Sequence, residues 1–265
     1  MALLEVHGLE VAFPQGPRDE ALALRGVDLD LDPGDRLGVV GESGAGKSML
    51  AFAILNLISE PGRISAGSIR FDGHDLLTLP EVEMRDIRGN RISMIFQDPM
   101  MTLNPVLRID TQMVEAIQAH ESIPKKAAWE RARDGLGRVG IPSPEERLRS
   151  YPHQLSGGMR QRVMIAMALA CGPKLIIADE PLTGLDPVAR HQVMELYREL
   201  GDSGTSLLIS SHVLHEVQSL SSRIVLIHRG RLLAQGPVEE VRQLLSHHPR
   251  KVHLTARDPR ALARA

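Results

Sequence analysis

The sequence predicts an α/β chain built on a largely parallel β-sheet with helices packed around it. Segments of β character alternate with helix-like segments through the second half of the chain, the pattern that parallel sheets produce. A glycine-rich loop stands between a short apolar strand and a helix. Hydrophobic residues make up 43% of the 265 positions while aromatic residues supply only 3%, so the core is sizeable and mostly aliphatic.

The first part reads as β. Residues 3–6, 11–13 and 22–31 are short apolar or alternating runs, broken by Pro14-Gln15-Gly16-Pro17 and Pro33-Gly34. Residues 36–40 form an apolar strand that runs into the glycine-rich loop, and residues 49–58 read as the helix behind it. Residues 67–71 and 92–96 are further strands. From 110 to about 149 the pattern turns helical, with Ala, Trp129 and Leu at helical spacing among charges. The β period returns at 175–178, 206–210 and 224–227. The helical stretch therefore reads as an insertion. Residues 246–265 are polar and basic, a frayed end or the start of a truncated appendage. The mixed-sign stretch 81–91 reads as a solvated face.

Net charge is −2, from 31 basic and 33 acidic residues, which gives no electrostatic reason to expect nucleic acid as a partner. The single Cys171 excludes an intramolecular disulfide and any Cys-rich metal site, and a reducing, cytoplasmic setting is the default. The N-terminus lacks the basic start and apolar run of a signal peptide. The longest apolar run, from Val163 to Cys171, falls far short of the about 20 residues that span a membrane. A role at a membrane would need another subunit to hold the chain there.

The loop Gly41-Glu42-Ser43-Gly44-Ala45-Gly46-Lys47-Ser48, with Met49 opening the helix behind it, fits the phosphate-binding P-loop pattern completely. Glycines let the backbone curl so that successive N–H groups face phosphate oxygens, and the helix start adds partial positive charge. Lys47 is placed for the β- and γ-phosphates and Ser48 for Mg²⁺. Downstream, Leu175-Ile176-Ile177-Ala178 is an apolar strand ending in Asp179-Glu180. Alone, paired acids there would only mark the strand's exit to solvent. Beside a P-loop, Asp179 suits Mg²⁺ through its water shell, and Glu180 suits orienting or deprotonating an attacking water.

More specific is Leu155-Ser156-Gly157-Gly158-Met159-Arg160-Gln161-Arg162, ahead of a long apolar helix. It resembles the signature motif of ABC ATPases, and nearly the whole chain to about residue 245 resembles that family. Gln97, Asp186 in Gly184-Leu185-Asp186, and His212 fall in the family's order. By itself, the helix start at Ser156, Gly157 and Gly158 is a second anion site. The resemblance implies that two such domains pack head to tail, each ATP lying between one P-loop and the partner's signature. It further implies that Gln97 senses Mg²⁺ and water near the contact with transmembrane permease subunits. His212 would contact the γ-phosphate, Asp186 would lie on the loop joining the two sites, and Phe13 would stack on adenine. The implied organisation is a single ABC-type P-loop ATPase domain. A mixed-sheet core and antiparallel β subdomain would occupy about 1–97 and 174–245, and a helical subdomain carrying the signature about 98–173.

The alternative for Phe13 is an ordinary core residue. His212-Val213-Leu214-His215-Glu216 has the wrong order for an inverted zincin site. Cys171 reads as a small hydrophobe and His247-His248 as solvated. Residues 92–106, 41–48 and 151–155 resemble peptide and nickel importer subunits, whereas residues 210–217 and 223–236 look more like drug or sodium exporter subunits, and residues 249–265 fit those exporters too. The importer-like part includes the expected permease contact near Gln97, which favours uptake of peptides or nickel-type substrates. Peptide importer subunits often carry a longer C-terminal extension with cysteines, which this sequence lacks. An ATPase acting on ribosomes or DNA, and a module that holds ATP without cleaving it, are the competing functions. Neither a doubled domain nor a coiled-coil insertion supports the first, and the presence of both Glu180 and His212 speaks against the second.

Overall fold

The computed structural model describes residues 2–16, 19–97 and 102–246. Residues 247–265, most of the basic tail, and residues 98–101 of the importer-like segment lie outside them.

The chain begins with β1 (Leu4–Pro14) and β2 (Glu20–Leu31), which pair antiparallel. The two short β runs expected at 3–6 and 11–13 form one strand, with irregular pairing around Gly8, whose φ is +55°. β4 (Arg63–Phe71) and β5 (His74–Asp75) complete a four-stranded sheet in the order β2-β1-β4-β5. The second sheet has six strands in the order β10-β9-β3-β8-β7-β6. Its members are β3 (Arg36–Val40), β6 (Ile92–Ile95), β7 (Leu175–Asp179), β8 (Ser206–Ser211), β9 (Arg223–His228) and β10 (Arg231–Pro237). All neighbours pair parallel except β10 with β9.

The apolar runs of the central strands follow from burial on both faces. Successive side chains of a strand point to opposite sides. Ile176 and Ala178 of β7 accordingly join one buried cluster with the helical layer, while Leu175 and Ile177 join another with β1, β2 and α1 (Lys47–Ile54). The helical layer contains α3 (Ile109–Gln118), α4 (Lys125–Arg138), α5 (Pro144–Leu148) and α6 (Gly157–Leu169), with α2 (Glu81–Ile87) preceding it in the chain. α7 (Pro187–Asp202), α8 (Leu214–Gln218) and α9 (Val238–Ser246) follow.

Two expectations are corrected. The helix read through 58 ends at Ile54: Asn56 takes φ +50°, and Arg88 caps the end by donating to Leu55 O at 2.8 Å and Asn56 O at 3.1 Å. The stretch 81–91 is not wholly a solvated face, because Met84 and Ile87 are buried.

Tyr197 of α7 is fully buried, and its hydroxyl has no hydrogen-bond partner among the described residues. Burial pushes that hydroxyl's pKa well up. A buried unpaired hydroxyl costs about 1–3 kcal/mol, so Tyr197→Phe is expected to raise the melting temperature by a few degrees. A drop of several degrees on calorimetry would show that the hydroxyl is bonded after all.

Candidate nucleotide site

The parallel strands assemble the site because each leaves a functional loop at its C-terminal end, the edge where open α/β sheets bind ligands. β3 runs into residues 41–48, β7 ends at Asp179, β8 at Ser211 and β6 shortly before Gln97. The register sets them level: Val40 pairs with Ser211, Asp179 with Ser210, and Ile95 with Ala178.

A cleft of about 440 Å³ opens at this edge, lined by Ala23, Ser43, Gly44, Gly46, Lys47, Ser48, Met49, Gln97, Glu180, Thr183 and His212. Gly46 caps α1 with φ +113°, a conformation that a side chain would strain. Gly41 and Glu42 contribute their carbonyls, which accept from Lys47 Nζ at 2.8 and 3.1 Å. Ala45 is buried in the loop's base.

Lys47, Glu180 and His212 form one connected group. Lys47 Nζ lies 3.0 Å from Glu180 Oε1, with both side chains almost wholly buried. His212 Nδ1 donates to Glu180 Oε2 at 2.7 Å, and Thr183 Oγ1 donates to the same oxygen at 3.2 Å. Burial raises the Glu180 carboxyl's pKa, but the hydrogen bonds and charges of Lys47 and His212 outweigh it, so the net shift is down and the group is a carboxylate at neutral pH. Glu180 also takes φ +46°, a conformation costly for a residue with a Cβ. Ser210 helps hold it there: its carbonyl and hydroxyl accept the Glu180 N–H at 3.1 and 3.0 Å. The same hydroxyl donates to Asp179 Oδ1 at 2.5 Å.

Asp179 is buried at the end of β7 next to Glu180 and does not itself line the cleft. With Ser48 and Gln97 it offers hydroxyl, amide and carboxylate oxygens, the hard donors that suit Mg²⁺ when phosphates and water complete its shell.

The remaining expected residues lie outside this cleft. Ser156 caps α6, its hydroxyl accepting from Met159 N at 3.3 Å, and Asp186 caps α7, accepting from Val188 N and Ala189 N at 3.0 Å each. Gly157 and Gly158 open α6. None of these lines the cleft of its own chain. Phe13 is half-buried beside Gly62, where a Cβ on the glycine would meet the ring at 2.5 Å, and Ala23 of β2 lines the cleft instead. A larger cavity, about 830 Å³ beside α4 and α5, lies elsewhere, and its Arg133 is paired with Asp134. Sequence reasoning passed over Ser210, Ser211 and Thr183. The hydroxyl pair directly before His212 at a strand tip was the available signal.

Comparison with known proteins agrees with this geometry. Residues 24–183 match the family described as ABC transporter. The chain is 46% identical over 241 residues to the oligopeptide transport ATP-binding protein OppD of Bacillus subtilis, covering 90% of this chain and 67% of that protein. It is 46% identical over 245 residues to the dipeptide transport ATP-binding protein DppD of Haemophilus influenzae, covering 91% of this chain and 73% of that protein. Its fold matches the ATP-binding cassette MJ0796, solved as a dimer bound to ADP and phosphate. The TM-score is 0.79 at 24% identity, over 89% of this chain and 98% of that one. The chain belongs to the ABC transporter family, among its ATP-binding subunits.

Proposed function

We propose that the chain hydrolyses ATP to ADP and phosphate to drive a peptide importer. It would work as one half of a head-to-tail dimer, with an identical or homologous ATP-binding domain, on transmembrane permease subunits at the cytoplasmic face of the membrane. The observation that carries this reading is the connected group Lys47–Glu180–His212 at the floor of a P-loop cleft.

Backbone N–H groups of residues 43–48 and the Lys47 ammonium would hold the phosphates. Lys47 and Glu180 neutralise each other at 3.0 Å, so a γ-phosphate that takes Lys47 leaves the Glu180 carboxylate free to orient or deprotonate water. His212, bonded to Glu180, would stabilise the charge that develops on the phosphoryl group. Ser48, Gln97 and Asp179 would hold Mg²⁺, which when bound neutralises phosphate charge. Ser156, Gly157 and Gly158 form a helix start that lies outside the chain's own cleft, which suits them to a partner's nucleotide. Among the described residues no helix is long and apolar enough to cross a membrane, consistent with separate permease subunits carrying the substrate.

The peptide reading rests on the oligopeptide and dipeptide transport names of the relatives. The test is uptake of a labelled dipeptide into vesicles holding the permease subunits and this chain. ATP-dependent accumulation is expected. Accumulation of nickel ions instead, or peptide movement indifferent to ATP, would contradict the peptide assignment.

A further inference from the structure

We propose that Arg190 and Glu216 are positioning residues for His212, and that they tie the signature end of the chain to its own hydrolytic group. This rests on the ATPase reading above.

Glu216 lies in α8 with its side chain only 9% exposed. Its Oε2 accepts the Ser211 hydroxyl at 2.9 Å, and its Oε1 lies 3.5 Å from Arg190 Nη1. The Ser211 hydroxyl also accepts the Val213 N–H at 3.0 Å. One hydroxyl, anchored by Glu216, therefore fixes the backbone on both sides of His212. The His212 side chain is 50% exposed, so packing alone does not set where its Nδ1 meets Glu180. The turn that Glu216 anchors supplies that constraint. A carboxylate so deeply placed is costly unless its oxygens are bonded, and here each has a partner.

Arg190 connects this turn to the opposite side. It sits in the first turn of α7, where Nη2 also bonds Leu185 O at 3.4 Å. Its neighbour Ala189 packs against the signature: a Cβ on Gly158 would lie 2.7 Å from the Ala189 Cβ. Closely packed contacts of this kind transmit displacement rather than absorb it. A shift of the α6 start must move Ala189. The turn carrying Ala189 also carries Arg190, and Arg190 is paired with the residue that anchors the His212 turn. The signature would serve the partner's nucleotide while His212 serves the chain's own, so this connection would let occupancy of one composite site adjust the chemistry of the other.

The test uses Arg190→Met, Glu216→Gln, their double variant and Arg190→Lys in the full chain. The readouts are the His212 imidazole ¹⁵N shift, assigned with a His212→Gln reference, the melting temperature, and kcat and KM for ATP. Both single variants should move the His212 signal and lower kcat roughly tenfold with KM unchanged. The double variant should be no worse than the worse single, and Arg190→Lys should recover most of the loss. An unmoved His212 signal, additive effects in the double variant, or a kcat loss matched by a rise in KM and a fall in melting temperature would overturn the proposal. The signal is read without turnover. A wild-type chain that binds but never hydrolyses ATP, alone or mixed with its homologous partner subunit, while its His212 signal still responds to Arg190→Met, would refute the ATPase reading and uphold the link.

Discussion

Lys47→Ala is expected to abolish tight ATP binding and to reduce turnover by about 10²–10³-fold or more, since it removes a fixed charge from the phosphates. The structure adds a second consequence. Lys47 is the ammonium that neutralises the buried Glu180 carboxylate, and its loss leaves that carboxylate with His212 and Thr183 only. Breaking one partner of a buried pair costs about 3–5 kcal/mol, so the variant should also melt lower. The two effects separate in Lys47→Ala combined with Glu180→Gln. Removing the stranded charge should restore much of the melting temperature, and ATP binding should stay lost. Unchanged steady-state hydrolysis by Lys47→Ala would refute the mechanism.

Glu180→Gln should also collapse turnover, by about 10²–10⁴-fold, because the amide cannot accept a proton from water. Its effect on binding runs the other way. In the wild-type chain Glu180 holds Lys47 at 3.0 Å, and incoming phosphates compete for that ammonium. A neutral amide competes less, so the variant should bind ATP at least as tightly as wild type while failing to hydrolyse it. Measured by fluorescent nucleotide titration, weaker binding in Glu180→Gln would contradict the competition between carboxylate and phosphate.

The parts of the site that the sequence announced are those whose logic is contiguous in the chain. Residues 41–48 need successive N–H groups and a helix start, and Asp179-Glu180 need only a strand tip, so local pattern suffices for both. The antiparallel first sheet, the helical layer and the mixed second sheet followed from the family resemblance and agree with the structure. Less legible were features made by distant residues. Asn56 is the one local sign of the stop after α1, and Arg88, 33 positions from Leu55, completes it by bonding the freed carbonyls. Ser210 holds Asp179 from 31 positions away, and Arg190 reaches Glu216 across the α7–β8 connection. Glu216 stood in the sequence only as the end of a rejected metal pattern: Ser211 is near it in the chain, but Arg190 reaches it from another helix. The composite arrangement of Ser156, Gly157 and Gly158 with another chain's nucleotide is legible in neither a local pattern nor one chain's contacts.

Light scattering on Glu180→Gln, with and without ATP and Mg²⁺ and after nucleotide binding has been confirmed, reads that arrangement in solution. A monomer should become a dimer when ATP and Mg²⁺ are added, either alone or on mixing with its homologous partner subunit. A chain that binds ATP yet stays monomeric in both conditions would contradict it.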